Sequence, residues 1–143
     1  MSATFVEARD DMLAQITDAW KTANPTYPIV YDDYSGEQGV PKTEKPWTRV
    51  TIRHNRGEQE TLVNSLGNRL FLRDGLITIQ IFTPRGAGLT KAYELAKVAA
   101  DAFEGKATPK GVWFRSVRLR EVGPDGNWFQ VNVIADFEYS EAK

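Results

Sequence analysis

A strand, a glycine turn and a helix follow one another between Asp74 and Glu104, and this stretch constrains the fold more than any other. In the segment 75–83, GLITIQIFT, isoleucines stand at every second position, so they point to one face of a strand. The segment 84–88, PRGAG, ends the strand, because proline lacks the N–H that a β-ladder needs and glycine tolerates turn conformations. Small and apolar residues then recur every three or four positions, at Ala92, Leu95, Ala96, Ala99 and Phe103. This spacing predicts a helix, closed by Gly105, that packs on the isoleucine face of the strand.

A second helix is predicted near the start of the chain. Thr4 and Glu7 have the spacing of a capping box, in which their side chains bond the backbone N–H groups left unpaired at a helix start. Apolar residues keep helical spacing from there as far as Trp20. Asn24 ends the helix, because the residue before a proline, here Pro25, is pushed out of helical backbone angles.

Four further strands are predicted from short apolar or alternating runs, at 27–31, 47–54, 112–122 and 129–139. The turn sequence 123–127, GPDGN, joins the last two as a hairpin, and 55–57 is predicted as another turn. Weak strand character is present at 59–63 and 69–72. The order helix, strands, helix, hairpin predicts one α+β domain over residues 1–143, with a mainly antiparallel sheet of four to five strands packed with two helices.

Charge and cysteine content exclude several classes of protein. The chain has 18 basic and 19 acidic residues, so no overall field draws it to nucleic acid or to an anionic membrane. It has no cysteine, which excludes disulfides, thiolate nucleophiles and zinc–thiolate sites. No apolar run reaches the roughly 18 residues of a membrane span, and we expect a soluble protein without a membrane partner.

Three features of the sequence are candidates for chemistry. The turn 85–90, RGAGLT, lies between a strand and a helix where phosphate sites are built, but Lys91 stands where a dinucleotide fingerprint needs glycine, so a plain tight turn is favoured. His54 is the only histidine and is predicted to be a surface or cap residue. The loop 32–46 carries Asp32, Asp33, Glu37 and Glu44 without the spacing of a calcium loop. We therefore predict no catalytic residue, no cofactor and no metal site.

Arginine and tryptophan residues on the predicted strands are the more informative features. Their side chains do not lie on the aliphatic faces of their strands. Two helices cannot easily cover both faces of one sheet, so large apolar side chains on the other face indicate a partner. Interleaved acidic residues favour a salt-bridged or subunit-facing sheet over a phosphate-binding patch. The residues predicted to lie at subunit contacts or to line a ring are Trp47, Arg49, Arg53, Trp113, Arg115 and Trp128.

Several segments of the chain resemble a family of small phage proteins known as a bacteriophage domain of unknown function. They are 47–54 (WTRVTIRH), 75–84 leading into Gly86-x-Gly88, 120–133 and the closing 137–139 (FEY). In element order and length, the chain is also similar to the tail terminator proteins of long-tailed phages such as lambda. The resemblance covers nearly the whole chain, from about Phe5 to Tyr139.

The resemblance implies structural work in a virion and no enzyme activity. Tail terminators form a homohexameric ring on the head-proximal end of the tail tube, stop its polymerisation and offer a docking surface for head-tail joining. The partners implied are further copies of the chain, the tail tube protein and a head completion or connector protein, with synthesis in the host cytoplasm. A head-tail connector is the alternative within this class. Outside it, a nucleic-acid-binding module built on the arginines and an enzyme using the 86–90 turn stay open.

Overall fold

Two helices lie on one face of an open, mainly antiparallel sheet in the computed structural model, which describes residues 2–31, 44–61, 69–86 and 88–143. The elements along the chain are α1 (Phe5–Ala23), β1 (Ile29–Tyr31), β2 (Trp47–Gln59), β3 (Leu70–Pro84), α2 (Thr90–Asp101), β4 (Trp113–Asp125) and β5 (Trp128–Ala142). The described strands are ordered β1-β2-β3-β5-β4, and among them β1 and β2 pair in parallel while the other neighbours are antiparallel. The predicted α+β fold, with a mainly antiparallel sheet and two helices, is confirmed.

Helix α1 begins and ends where its sequence signals predict. The Glu7 backbone N–H donates to Thr4 Oγ1 at 3.2 Å, and the Thr4 N–H donates to Glu7 Oε1 at 3.1 Å, so the capping box is complete. Asn24 is the C-cap. The buried stripe is spaced four residues apart and consists of Ala8, Met12, Ile16 and Trp20.

Helix α2 packs on the centre of the sheet as the apolar pattern predicts. Ile77, Ile79 and Ile81 of β3 are fully buried beneath the helices. The whole predicted stripe from Ala92 to Phe103 is buried as well. The predicted cap was wrong: the helix ends at Asp101, and Gly105, with φ of +70°, lies in the turn that follows.

The predicted turn at 55–57 is also wrong. Strand β2 runs on to Gln59 and stays paired with β3, and a β-bulge between His54 and Arg56 takes up the irregularity that the sequence signals as a turn. The weak strand character at 59–63 and 69–72 belongs partly to the ends of β2 and β3, while 62–68 lies outside the described residues. Residues 32–43 of the predicted loop lie outside them too. No helix in the described ranges has the length and hydropathy to span a membrane.

Candidate interface on the open face of the sheet

The six predicted interface residues share one face of the sheet, opposite to the face on which both helices pack. Side chains alternate along a strand, and the register pairs Trp47 with Phe82, Trp128 with Pro84 and Trp113 with Glu138. The isoleucines of β3 point to the other face. The residues on the face that neither helix covers, which we call the open face, include Trp47, Arg49, Arg53, Trp113, Arg115 and Trp128.

An aromatic cluster occupies one end of the open face. Trp47 stacks on Phe82 with ring centroids 4.2 Å apart and an interplanar angle of 13°, and Trp128 meets Trp47 edge-on at 6.2 Å. Val30 of β1 completes this cluster. The Arg49 guanidinium carbon lies 5.3 Å from the Trp47 ring centroid, which is a cation–π distance.

The side chains of the aromatic cluster and the arginines beside it differ in solvent exposure. Trp47 is only 2% exposed and Phe82 only 4%, so both rings act mainly in packing within the chain. The buried Trp47 Nε1 has no hydrogen-bond acceptor among the described residues. Trp128 and Arg49 are half-buried, and Arg53 is exposed. Of the predicted contact residues at this end, Trp128, Arg49 and Arg53 therefore offer surface to a partner.

The β4 edge of the open face combines an exposed indole with ion pairs. Trp113 is 44% exposed, and the Arg115 guanidinium lies over its ring at 5.1 Å. Arg115 also forms a salt bridge with Glu138, and Arg118 forms one with Asp136 at 3.4 Å. A bulge between Arg115 and Arg118 keeps both arginines on this face. The face is thus a mixed surface of arginine, acid and aromatic side chains.

His54 is an exposed residue, as predicted, but its ring also belongs to a separate cluster on the helix side that the sequence pattern did not reveal. Its Nε2 lies 2.6 Å from the Tyr139 hydroxyl, and its ring meets Phe5, Phe137 and Tyr139 edge-on. Partial burial of the ring lowers the pKa of the imidazole, and the positive charge of Arg73 adds to this effect. Burial also raises the pKa of the Tyr139 phenol to about 12. The cluster joins the start of α1 to the sheet.

The described residues of the 85–90 turn and of the acidic loop show no arrangement that would bind a phosphate or a metal ion. Gly86 and Gly88 both have positive φ, as a tight turn requires, and the N-cap of α2 is Leu89, whose side chain makes no capping bond. Ala87, Asp32, Asp33 and Glu37 lie outside the described residues. Within the described part of the chain, no three His, Asp or Glu side chains are grouped as metal ligands require.

The fold and its open face define a small α+β protein whose candidate site is a surface. The family model of the phage tail terminator protein matches residues 8–135. The chain belongs to the phage tail terminator family and is a structural component of the phage tail.

Solved structures share the fold. One of them covers 92% of this chain and 92% of its own with a TM-score of 0.66, at 13% sequence identity. An identity this low shows the common fold alone. No curated protein matches the chain.

Proposed function

We propose that this protein is a tail terminator that forms a homohexameric ring on the head-proximal end of the tail tube. The ring ends tube polymerisation and presents a surface on which a head completion or connector protein docks. Membership of the terminator family supports this function over that of a head-tail connector. The protein is made in the host cytoplasm and becomes part of the virion.

The observation that carries the proposal is the composition of the open face. Exposed Trp113 and half-buried Trp128 are large apolar surfaces beside arginines, and tryptophan and arginine are enriched among residues that dominate binding energy at interfaces. Neither helix covers them. In the proposed ring, these residues contact the neighbouring subunit or line the lumen, and the exposed Arg53 adds a positive charge to the contact.

The same face gives less support to nucleic-acid binding. Arg115 and Arg118 each face a carboxylate on β5, Glu138 and Asp136, so their charges are already compensated. A phosphate would have to compete with these carboxylates, and the formal net charge of the chain is −1. We therefore expect at most weak DNA binding that disappears at modest salt.

Native mass spectrometry over a concentration series, with and without magnesium, tests whether the protein assembles. The wild type is expected to give a closed hexamer. Arg53→Glu reverses a charge on the open face at an exposed position and is expected to leave a folded monomer. Lys106→Glu makes the same change of charge in the exposed loop after α2 and serves as the matched control. An Arg53→Glu variant that assembles like the control would overturn the role given to the open face.

A further inference from the structure

Exposed large apolar side chains on the helix side of the sheet form two unlike patches. The first is a ridge at the start of α1, where Phe5 is 50% and Val6 is 68% exposed. The second is a groove between α2 and β4, bordered by Leu89, Tyr93 and Leu119, which are 38%, 45% and 41% exposed. Neither patch belongs to the open face described above. Two different apolar patches on one chain are what a head-to-tail contact between copies requires.

The groove exists because α2 presents alanines towards β4. Ala96 and Ala100 leave a cavity of about 220 Å³ between the helix and the edge strand, with Val133 of β5 and Leu119 of β4 among its lining residues. A shallower cavity of about 480 Å³ adjoins it along α2 and shares Tyr93 and Lys97 with it. Among the described strands, β4 has a hydrogen-bonded neighbour in the sheet only on its β5 side. The groove is therefore a mainly apolar slot beside the edge strand, and the Tyr93 hydroxyl reaches across from α2 to donate to the Glu121 carboxylate of β4.

The ridge is held in place before any partner arrives. Phe5 lies edge-on to His54 at 5.3 Å and beneath the Arg73 guanidinium at 4.8 Å. Glu7 closes the capping box and also forms a 3.2 Å ion pair with Lys110. A fixed ridge loses little conformational entropy on binding, which favours its use as an apolar anchor.

Charges beside the two patches are complementary. Arg9 and Asp10 follow Val6 by three and four residues, so they lie on the same side of α1, and neither forms an ion pair with another described residue. Glu94 and Lys97 on α2 line the cavities of the groove, and each forms an exposed ion pair along the helix, Glu94 with Lys91 at 3.9 Å and Lys97 with Asp101 at 2.6 Å. Because exposed ion pairs of this kind contribute little to stability, Glu94 and Lys97 can exchange partners and pair with the base and the acid beside the ridge.

We propose that the ridge of one copy, Phe5 and Val6, docks into the α2–β4 groove of the next copy. This inference rests on the proposed ring function and names one of the contacts that closes the ring. The contact is heterologous, since the ridge and the groove are different surfaces. The Val6 side chain enters the slot over Ala96 and Ala100, and the Arg9–Glu94 and Asp10–Lys97 pairs border it.

The absence of cysteine allows a direct test by crosslinking, because introduced thiols are the only ones in the protein. The double variant Val6→Cys/Leu119→Cys, treated with a short bismaleimide, is expected to give a ladder of covalent multimers on a denaturing gel. Each single variant is expected to stay monomeric, because like residues do not meet across a heterologous contact. The control Ala14→Cys/Leu119→Cys places the thiol at another exposed position of α1, two turns from the ridge. Absence of the ladder, an equal ladder in the control, or dimers from a single variant would overturn the proposal.

A complementary mixing experiment uses charge in place of crosslinks. Val6→Glu places a charge on the ridge, and Leu119→Glu places one in the groove. Both positions are exposed, so both variants should fold. Each variant alone is expected to be monomeric in native mass spectrometry. An equimolar mixture retains one intact ridge and one intact groove, so it is expected to form dimers and nothing larger. A mixture that stays monomeric, or variants that assemble alone, would overturn the contact. A wild-type ring without these effects would overturn the contact alone, whereas failure of the wild type to cap tubes would overturn the function.

Discussion

The Nε2 atom of His54 lies 2.6 Å from the hydroxyl oxygen of Tyr139, although their strands, β2 and β5, are separated by β3. The register explains how they meet: Gly75 of β3 pairs with His54 on one side and with Phe137 on the other. Because glycine has no side chain, the aromatic rings of β2 and β5 close over the strand between them. The cluster ties three strands together beneath Phe5, the first residue of α1.

Replacing Gly75 should therefore disrupt this part of the sheet. A Cβ atom at Gly75 would lie 2.0 Å from the Arg53 carbonyl oxygen and 2.6 Å from Phe137 Cζ, so backbone and a packed ring would both have to move. We expect Gly75→Ala to lower the free energy of unfolding by about 1–3 kcal/mol. Gly57→Ala is the comparison, because its closest contact is Nη1 at the end of the Arg73 side chain and not a backbone atom. Urea unfolding of both variants measures the difference, and equal midpoints would contradict the role of Gly75.

Mild acid should weaken the folded chain through His54. Burial and the nearby Arg73 lower the folded-state pKa below the ordinary value of 6.5, so folding favours the neutral imidazole. The stability that this gives is present above pH 6.5 and is lost as the pH falls through the folded-state pKa. We expect the urea midpoint of the wild type to fall between pH 7 and 5, and that of His54→Gln to change less. Parallel pH profiles for the two proteins would rule out His54 as the cause.

Alkaline pH should weaken the folded chain through Tyr139, which shares the hydrogen bond with His54. The folded chain raises the pKa of Tyr139 from 10.0 to about 12, so folding favours the neutral phenol. The stability that this gives is present below pH 10 and is lost as the pH rises towards 12. We expect Tyr139→Phe to reduce stability at pH 8 by about 1 kcal/mol, the usual net value of a hydrogen bond. Its ultraviolet phenolate titration should also lack the latest-ionising tyrosine of the wild type, and an unchanged titration would refute the assignment.

Two tryptophans of the open face should respond differently to truncation. Trp47 is 2% exposed and stacked on Phe82, so Trp47→Ala is expected to destabilise the chain by about 3–5 kcal/mol. Trp113 is 44% exposed, so Trp113→Ala is expected to change stability by less than about 1 kcal/mol while impairing assembly. Thermal unfolding and native mass spectrometry of both variants separate packing from contact. Normal rings from Trp113→Ala would remove this residue from the interface.

Local signals in the sequence were enough to predict both helices, each strand of the described residues, and the facing of side chains on the strands that alternate clearly. The capping box at Thr4 and the alternation in 129–139 depend on near neighbours, and both appear in the structure as predicted. The open face followed from the same alternation, since the strand period alone decides which side chains oppose the isoleucines. Whether those side chains contact other subunits stays a prediction.

Features that depend on contacts between residues far apart in the chain could not be predicted from local sequence patterns. The turn signal at Asn55 was overridden because β3 offers a continuous partner for β2, and a bulge absorbs the extra residue. Burial of Trp47 depends on Phe82 and Trp128, which lie 35 and 81 positions further along the chain. The His54 cluster and the α2–β4 groove depend on strand order, which no local periodicity encodes.

Tube capping tests the central claim most directly. Tail tube protein of the same phage is allowed to polymerise with and without this protein, and the products are viewed by negative-stain electron microscopy. We predict that tubes formed with it stop lengthening and carry one ring at one end, with six-fold symmetry in end views. Tubes that grow to the same lengths without a bound ring would contradict the account.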